Sequence, residues 1–399
     1  MQTDVPLLPG FDHEPRTRLV YGINAVEQVG RLASGLGARC VLVVTDPGIV
    51  SAGHAQRVEH SLQAAGLGAV VYDRVRENPT TKDVDQCVAV ARQAGTDVLV
   101  GLGGGSSMDT AKGCNFILTN GGRMQDYWGV GKAAQPMLPL IAIPTTAGTG
   151  SECQSAALIA DEHTHQKMAC LDPRAAARIA ILDPALTVSQ PPRVSACTGI
   201  DAIAHAVETA VTKKRNPLSL MYSHEAFKLT VTSFGRVLTH PSDLEARGRM
   251  LLGAAFAGLA IESSMLGAAH SAANPLTARF GIVHGQAVGM MLPHVVRFNS
   301  AEPAALRAYA ELASAPEIAC VSDGLESARD ALVARLEALL NRAGMPRSLG
   351  NCGVPRSIVP TMAQEAAQQW TAAFNPRKTS VEDFVQLYED AFEPRGDGE

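Results

Sequence analysis

The chain has 399 residues, 46% of them hydrophobic and 18% charged, which is enough apolar sequence for two cored domains and argues against disorder. A formal charge of −5, with Lys213-Lys214-Arg215 as the nearest thing to a basic run, gives no surface for nucleic acid or an anionic membrane. Met1 to Phe11 lacks a secretory signal, the apolar segment Leu251 to Ala269 is broken by Glu262, Ser263 and Ser264, and eight cysteines are scattered without a CxxC pair, so a cytoplasmic protein with reduced thiols is expected.

From about Arg39, short apolar runs alternate with helical stretches. The runs are Cys40 to Val44, Ala69 to Tyr72, Asp97 to Gly101, Leu140 to Ile143 and Ile179 to Leu182. Between them, 51–65, 82–94 and 107–117 have helical composition. This alternation predicts a parallel sheet covered by helices. After Pro191-Pro192 no strand is expected, and helices are predicted over 193–212, 217–235, 243–272, 284–297, 302–313, 321–343, 356–373 and 380–392. The expected domains are therefore 1–191, α/β, and 192–399, all helical.

Three places carry chemistry. The first is Gly101-Leu-Gly-Gly-Gly-Ser-Ser107, which follows one apolar run and opens a helix. Its backbone N–H groups suit a pyrophosphate, although glycine-rich turns of this kind also occur without ligands. A dinucleotide needs an acid for its adenosine ribose, and Asp46, at the end of the first run, is better placed than Asp126. A carboxylate there repels a 2′-phosphate, so NAD is expected over NADP. The second is Pro144-Thr-Thr-Ala-Gly-Thr-Gly-Ser-Glu152, a cluster of hydroxyls after another run, either a ligand loop or a turn with Ser/Thr caps.

The third is Asp201-Ala-Ile-Ala-His205, a carboxylate and an imidazole on one helix face. With His270 and His284 it would make a one-carboxylate, three-imidazole site for iron or zinc. The alternative is a set of hydrogen-bonded core histidines, since the chain has eleven.

Together, Gly103-Gly-Gly-Ser-Ser-Met-Asp-Thr-Ala-Lys112, the Pro144 to Glu152 loop, Thr198-Gly-Ile-Asp-Ala-Ile-Ala-His-Ala-Val-Glu208 and the His270/His284 region resemble the iron-containing (group III) alcohol dehydrogenase family. The resemblance implies a dehydroquinate-synthase-like fold: an N-terminal dinucleotide-binding α/β domain, a helical C-terminal domain and an active site in the cleft between them. It implies that Asp201, His205, His270 and His284 bind the metal, Fe2+ or alternatively Zn2+. It also implies that Asp46, Asn78, Gly104, Gly105, Ser106, Asp109, Thr145, Thr146, Thr149, Lys167 and Leu186 bind NAD.

Three positions depart from the family's pattern. Asn274 stands where a histidine that relays the proton is common, Ile261 where an aromatic is common, and Gln154 where Ser or Thr is usual. Because asparagine does not titrate, the proton is expected to leave through water, the ribose hydroxyls or Lys167. The expected activity is NAD(H)-dependent, metal-dependent alcohol dehydrogenation or aldehyde reduction on a small alcohol, by a homodimer or higher homo-oligomer. Its rivals are a metal-independent reductase of the maleylacetate-reductase kind and a polyol dehydrogenase on the same fold.

Overall fold

A computed structural model of the chain describes residues 10–164 and 166–392. Of the N-terminal stretch expected to lack a leader, residues 1–9 lie outside the described ones. The described residues form two compact units, one of 14–191 with 241–258 and one of 10–13 with 192–240 and 259–392.

The first unit contains, in chain order, β1 (Arg18–Tyr21), α1 (Val29–Gly35), β2 (Cys40–Val44), α2 (Pro47–Ser51), α3 (His54–Ala64), β3 (Gly68–Tyr72), α4 (Thr81–Ala94), β4 (Val98–Gly103), α5 (Gly105–Asn120), β5 (Gly129–Val130), β6 (Leu140–Pro144), β7 (Ala156–Ala160), β8 (Lys167–Leu171) and β9 (Ile179–Leu182). Six strands pair in parallel in the order β1-β9-β6-β4-β2-β3. The apolar runs are continuous because both faces of the sheet are covered. Leu42 and Val44 of β2 enter a cluster with Val84, Cys87, Met108 and Ala111 of α4 and α5, whereas Val41 and Val43 enter another with Val29, Leu32, Val58 and Leu62 of α1 and α3.

Five strands of this sheet lie where the apolar runs predict them. Outside the expected set are edge strand β1 and the three strands of a second sheet, ordered β5-β8-β7. Ala156-Ala-Leu-Ile-Ala160 lacks a β-branched run and reads as helix former, yet it pairs antiparallel with β8. Residues 241–258 pack with this unit through close backbone contact. A Cβ on Gly258 would stand 2.4 Å from the Gly150 carbonyl oxygen. Arg247, buried, donates from Nε to the Pro241 carbonyl and from Nη1 to Gln190.

The second unit contains α6 (Pro192–Thr209), α7 (Pro217–Thr239), the end of α8 (Leu244–Ser264), α9 (Ala268–Phe280), α10 (His284–Asn299), α11 (Pro303–Ser314), α12 (Leu325–Arg342), α13 (Val359–Ala367) and α14 (Val381–Phe392), with no strand among the described residues. Two expected helices are corrected. The one over 243–272 is two helices, α8 and α9, bent by 107°. Met265 stands at φ 68, which a helix cannot continue, and Gly267 precedes the new start at φ −131, ψ −145. The one over 356–373 shrinks to α13, flanked by 3-10 turns, because Gln369 turns extended at ψ 133. No single described helix is long and apolar enough to cross a membrane.

Candidate functional site

Helix α6 places Asp201, His205 and Glu208 at i, i+4 and i+7 on one buried face. The bend after α8 lets α9 begin at Ala268, so that His270 falls in its first turn, and His284 opens α10. These three helices, α6, α9 and α10, bring the ligand atoms of Asp201, His270 and His284 within 4.8 Å of one another. From Asp201 Oδ1 the Nε2 atoms of His205 and His270 are each 3.6 Å away, and that of His284 is 3.8 Å away. The His205 ring stacks on His270 with centroids 4.8 Å apart.

Those separations exceed hydrogen-bond length, and Asp201 Oδ1 and His270 Nε2 are buried with no hydrogen-bond partner. Such atoms are costly to leave unmatched, and a cation between them removes the cost. His284 keeps 34% of its side chain exposed, so one side of the cluster remains accessible. Burial works against the Asp201 charge, but the imidazoles of His205, His270 and His284 hold its carboxyl well below the usual carboxylate range. Burial likewise opposes a charge on His270, and Glu208 and Asp201 outweigh it, raising the imidazole to about 9. The field at this point favours positive charge. The donor set of one carboxylate and imidazoles fits a divalent transition metal.

Glu208 completes the arrangement. Its Oε2 lies 2.5 Å from His270 Nδ1, which assigns the proton to Nδ1 and leaves Nε2 facing Asp201. Its Oε1 accepts from the Ala269 N–H at 2.7 Å, capping α9 beside Asn375 Oδ1, which accepts from the Ala268 N–H at 3.2 Å. Four residues beyond His270, Asn274 donates to Gln369 Oε1 at 2.9 Å.

In the first unit, chain order changes direction between β2 and β4, and the crevice outside the carboxyl ends of such strands is where ligands bind. The segments that follow β3, β2, β4, β6 and β9, in that spatial order, carry Asn78, Asp46, Gly104 to Ser106, Thr145 to Thr149 and Leu186. Asp46 caps α2, its Oδ1 accepting from the Gly48 and Ile49 N–H groups at 2.9 and 3.1 Å. Its Oδ2 faces the glycine turn, 3.4 Å from where a Cβ on Gly103 would stand. Gly103 itself has φ 144, which a side chain rarely tolerates, and its Cβ would collide with Ser107 Oγ at 2.4 Å. Asp126 instead caps its own turn, accepting from the Arg123 N–H.

The glycine turn and the threonine loop face each other. A Cβ on Gly104 would lie 3.4 Å from Thr146 Cγ2, and one on Gly105 would lie 3.0 Å from Thr149 Cγ2. Between the first N–H groups of α5 and these hydroxyls is a cradle that fits a pyrophosphate. Gln190 Nε2 holds the Thr145 carbonyl at 2.6 Å, and Gln154 Nε2 holds that of Thr149 at 2.8 Å. Lys167, exposed at the start of β8, contributes its charge to Asp109 on α5. Asn78 is exposed at φ 53, while Leu186 is buried in the core cluster with Val41 and Val43. Glu208 has no role in the expected site set, and neither do Gln190 or Arg247.

Residues 15–184 match the family model described as iron-containing alcohol dehydrogenase, and 195–392 match Fe-containing alcohol dehydrogenase family, C-terminal. The chain is 33% identical over 372 residues to an NAD-dependent methanol dehydrogenase of Bacillus methanolicus, covering 93% of this chain and 97% of that protein. It is 32% identical over 385 residues to a 1,3-propanediol dehydrogenase of Klebsiella pneumoniae, covering 96% and 99%. The crystal structure of a 1,3-propanediol oxidoreductase superposes with a TM-score of 0.92 at 30% identity, covering 96% of this chain and all of that one.

Proposed function

Since the chain belongs to the iron-containing alcohol dehydrogenase family, we propose that it is an NAD-dependent, divalent-metal-dependent alcohol dehydrogenase or aldehyde reductase acting on a primary or small functionalised alcohol. The observation that carries this reading is the buried convergence of Asp201 Oδ1 and His270 Nε2, both without partners, with His205 and His284 beside them. These four side chains hold the metal, ferrous iron, with zinc the alternative that the same donors accept. Relatives of similar length act on methanol and 1,3-propanediol, and their small size sets the expected substrate class.

The metal, when bound, supplies a Lewis acid for the alcohol oxygen, and bound NAD supplies the hydride acceptor. The chain's own residues bind and orient. Glu208 fixes the His270 ring, and Asp201 contributes the negative charge that retains a dication. Asp46 takes the adenosine ribose, the turn Gly104 to Ser106 takes the pyrophosphate, and Thr145, Thr146 and Thr149 supply hydroxyls opposite it. Asp109 and Lys167 serve the nicotinamide ribose and Asn78 flanks the cofactor, whereas Leu186, fully buried with Val41 and Val43, supports the site from the core. Asn274, an amide bonded to Gln369, carries no titratable proton, so proton exit runs through water, the ribose or Lys167.

All eight cysteines are free thiols, which supports a cytoplasmic setting, and we place the enzyme there as a homo-oligomer. The test is a panel of short alcohols and aldehydes on metal-loaded protein with NADH and NADPH. Turnover of at least one small aldehyde, with NADH preferred by about tenfold or more through Asp46, is expected. No cofactor-linked absorbance change across the panel would reject the reading.

A further inference from the structure

Beneath the cradle, the first half of α5 carries two charged residues three positions apart, Asp109 and Lys112. Lys112 is fully buried. Its ammonium donates to the Ser151 carbonyl at 2.6 Å, the Ser151 hydroxyl at 2.9 Å and the Ala156 carbonyl at 3.0 Å. The Ser151 hydroxyl in turn donates to Asp109 Oδ1 at 3.0 Å, and the Ser151 N–H donates to Thr149 Oγ1 at 3.3 Å.

Packing alone does not account for a lysine here. Removing an ammonium from water is expensive, and an apolar chain of the same length would fill the space without that cost. What the ammonium achieves is a connection. It ties the segment that continues the threonine loop to the helix that begins with the glycine turn, and Ser151 carries the connection to one residue on each side, Asp109 and Thr149. The charge also acts on Asp109, whose carboxyl burial raises and which Lys112, Lys167 and the Ser151 hydroxyl pull back. Two further titratable groups adjoin the cluster. Burial pushes the Cys170 thiol on β8 up, with the Asp109 charge adding to it, and Glu152 is pushed up to about 7 by burial, against Lys112.

We propose that Lys112 and Ser151 are a positioning pair for the dinucleotide: the buried ammonium locks the threonine loop against the glycine turn, and the Ser151 hydroxyl aims Asp109 and Thr149 at the cofactor. The inference rests on the reading of the rim as an NAD site. Neither residue is placed against the cofactor; each acts through a neighbour that is.

The experiment compares full-length wild type with Ser151→Ala, Lys112→Met, Asp109→Asn and the Ser151→Ala/Asp109→Asn double variant. Each is titrated with NADH and assayed for metal content, for Tm, and for KM and kcat toward NAD and alcohol. Ser151→Ala should keep the metal content and weaken NADH binding by about tenfold, with the loss in KM for NAD exceeding that in kcat. The double variant should be no weaker than about its worse parent. Lys112→Met should weaken NADH binding further, and if it fails to fold, the Ser151 cycle still decides. Variants that bind NADH as wild type does while losing only Tm would overturn the proposal, as would additive effects of Ser151→Ala and Asp109→Asn. Wild-type protein that binds no NADH would overturn the NAD reading itself, and this inference with it.

Discussion

Glu208 divides its two oxygens between the proposed metal ligand His270 and a helix end. Because Oε2 takes the His270 Nδ1 proton and Oε1 takes the Ala269 N–H, the orientation of one imidazole and the first turn of α9 are set by the same side chain. Replacing Glu208 by Gln leaves one acceptor for two donors: either the amide oxygen keeps the Ala269 N–H and an NH2 donor faces Nδ1, or it turns to Nδ1 and the helix end loses its acceptor. Metal affinity, measured by competition with a chelator, should fall by about 10- to 100-fold. An unchanged affinity would mean that the ring is held by other contacts. That Asp201, His205, His270 and His284 belong together was legible in the sequence because their residue types, spacing and order coincide with those of one family, and the structure brings them side by side. Glu208 lay in the quoted stretch Thr198 to Glu208 and on the face of Asp201 and His205, but its partner is 62 residues away. Spacing shows what shares a face and leaves open what lies opposite. The same holds for Lys112, whose acceptors are 39 and 44 residues distant, and for Asn274 with Gln369.

At the scale of elements, the four central strands β2, β4, β6 and β9 were legible since a strand covered on both faces is an unbroken apolar run, and the half-buried edge strand β3 was legible by its own short run Ala69 to Tyr72. The second sheet was not, because β7 and β8 hold a single β-branched residue between them, Ile159, and take their conformation from pairing with each other. The α8/α9 break falls just after Glu262, Ser263 and Ser264, the interruption in the apolar run Leu251 to Ala269, with Gly267 a second local sign, but the apolar run resumes at once and reads as one continuing helix. The facing loops after β4 and β6 were legible as motifs, but their contact becomes visible only with the strand order, in which β4 and β6 are neighbours paired Gly103 to Pro144. That contact makes a prediction. In Gly105→Val the new side chain starts 3.0 Å from Thr149 Cγ2, so the cradle must open or fill. NADH affinity should drop by about tenfold to a hundredfold, by calorimetry or fluorescence titration, with metal content unchanged. Wild-type affinity would remove the cradle from the cofactor site.

Across the whole molecule, the two chemistries belong to separate units. Every residue proposed for NAD lies within 46–186, and the four residues proposed for the metal lie within 201–284, in the helical unit. Removing the metal should therefore silence turnover and spare NADH binding. The decisive measurement is to strip the protein with a chelator under anaerobic conditions, return ferrous iron in steps and follow NADH formation from a short primary alcohol, beside an Asp201→Ala control. The account predicts background activity when stripped, recovery complete near one equivalent of iron per chain, and an Asp201→Ala variant that binds NADH but recovers nothing. Undiminished turnover in the metal-free protein would contradict it and point to a metal-independent reductase on the same fold.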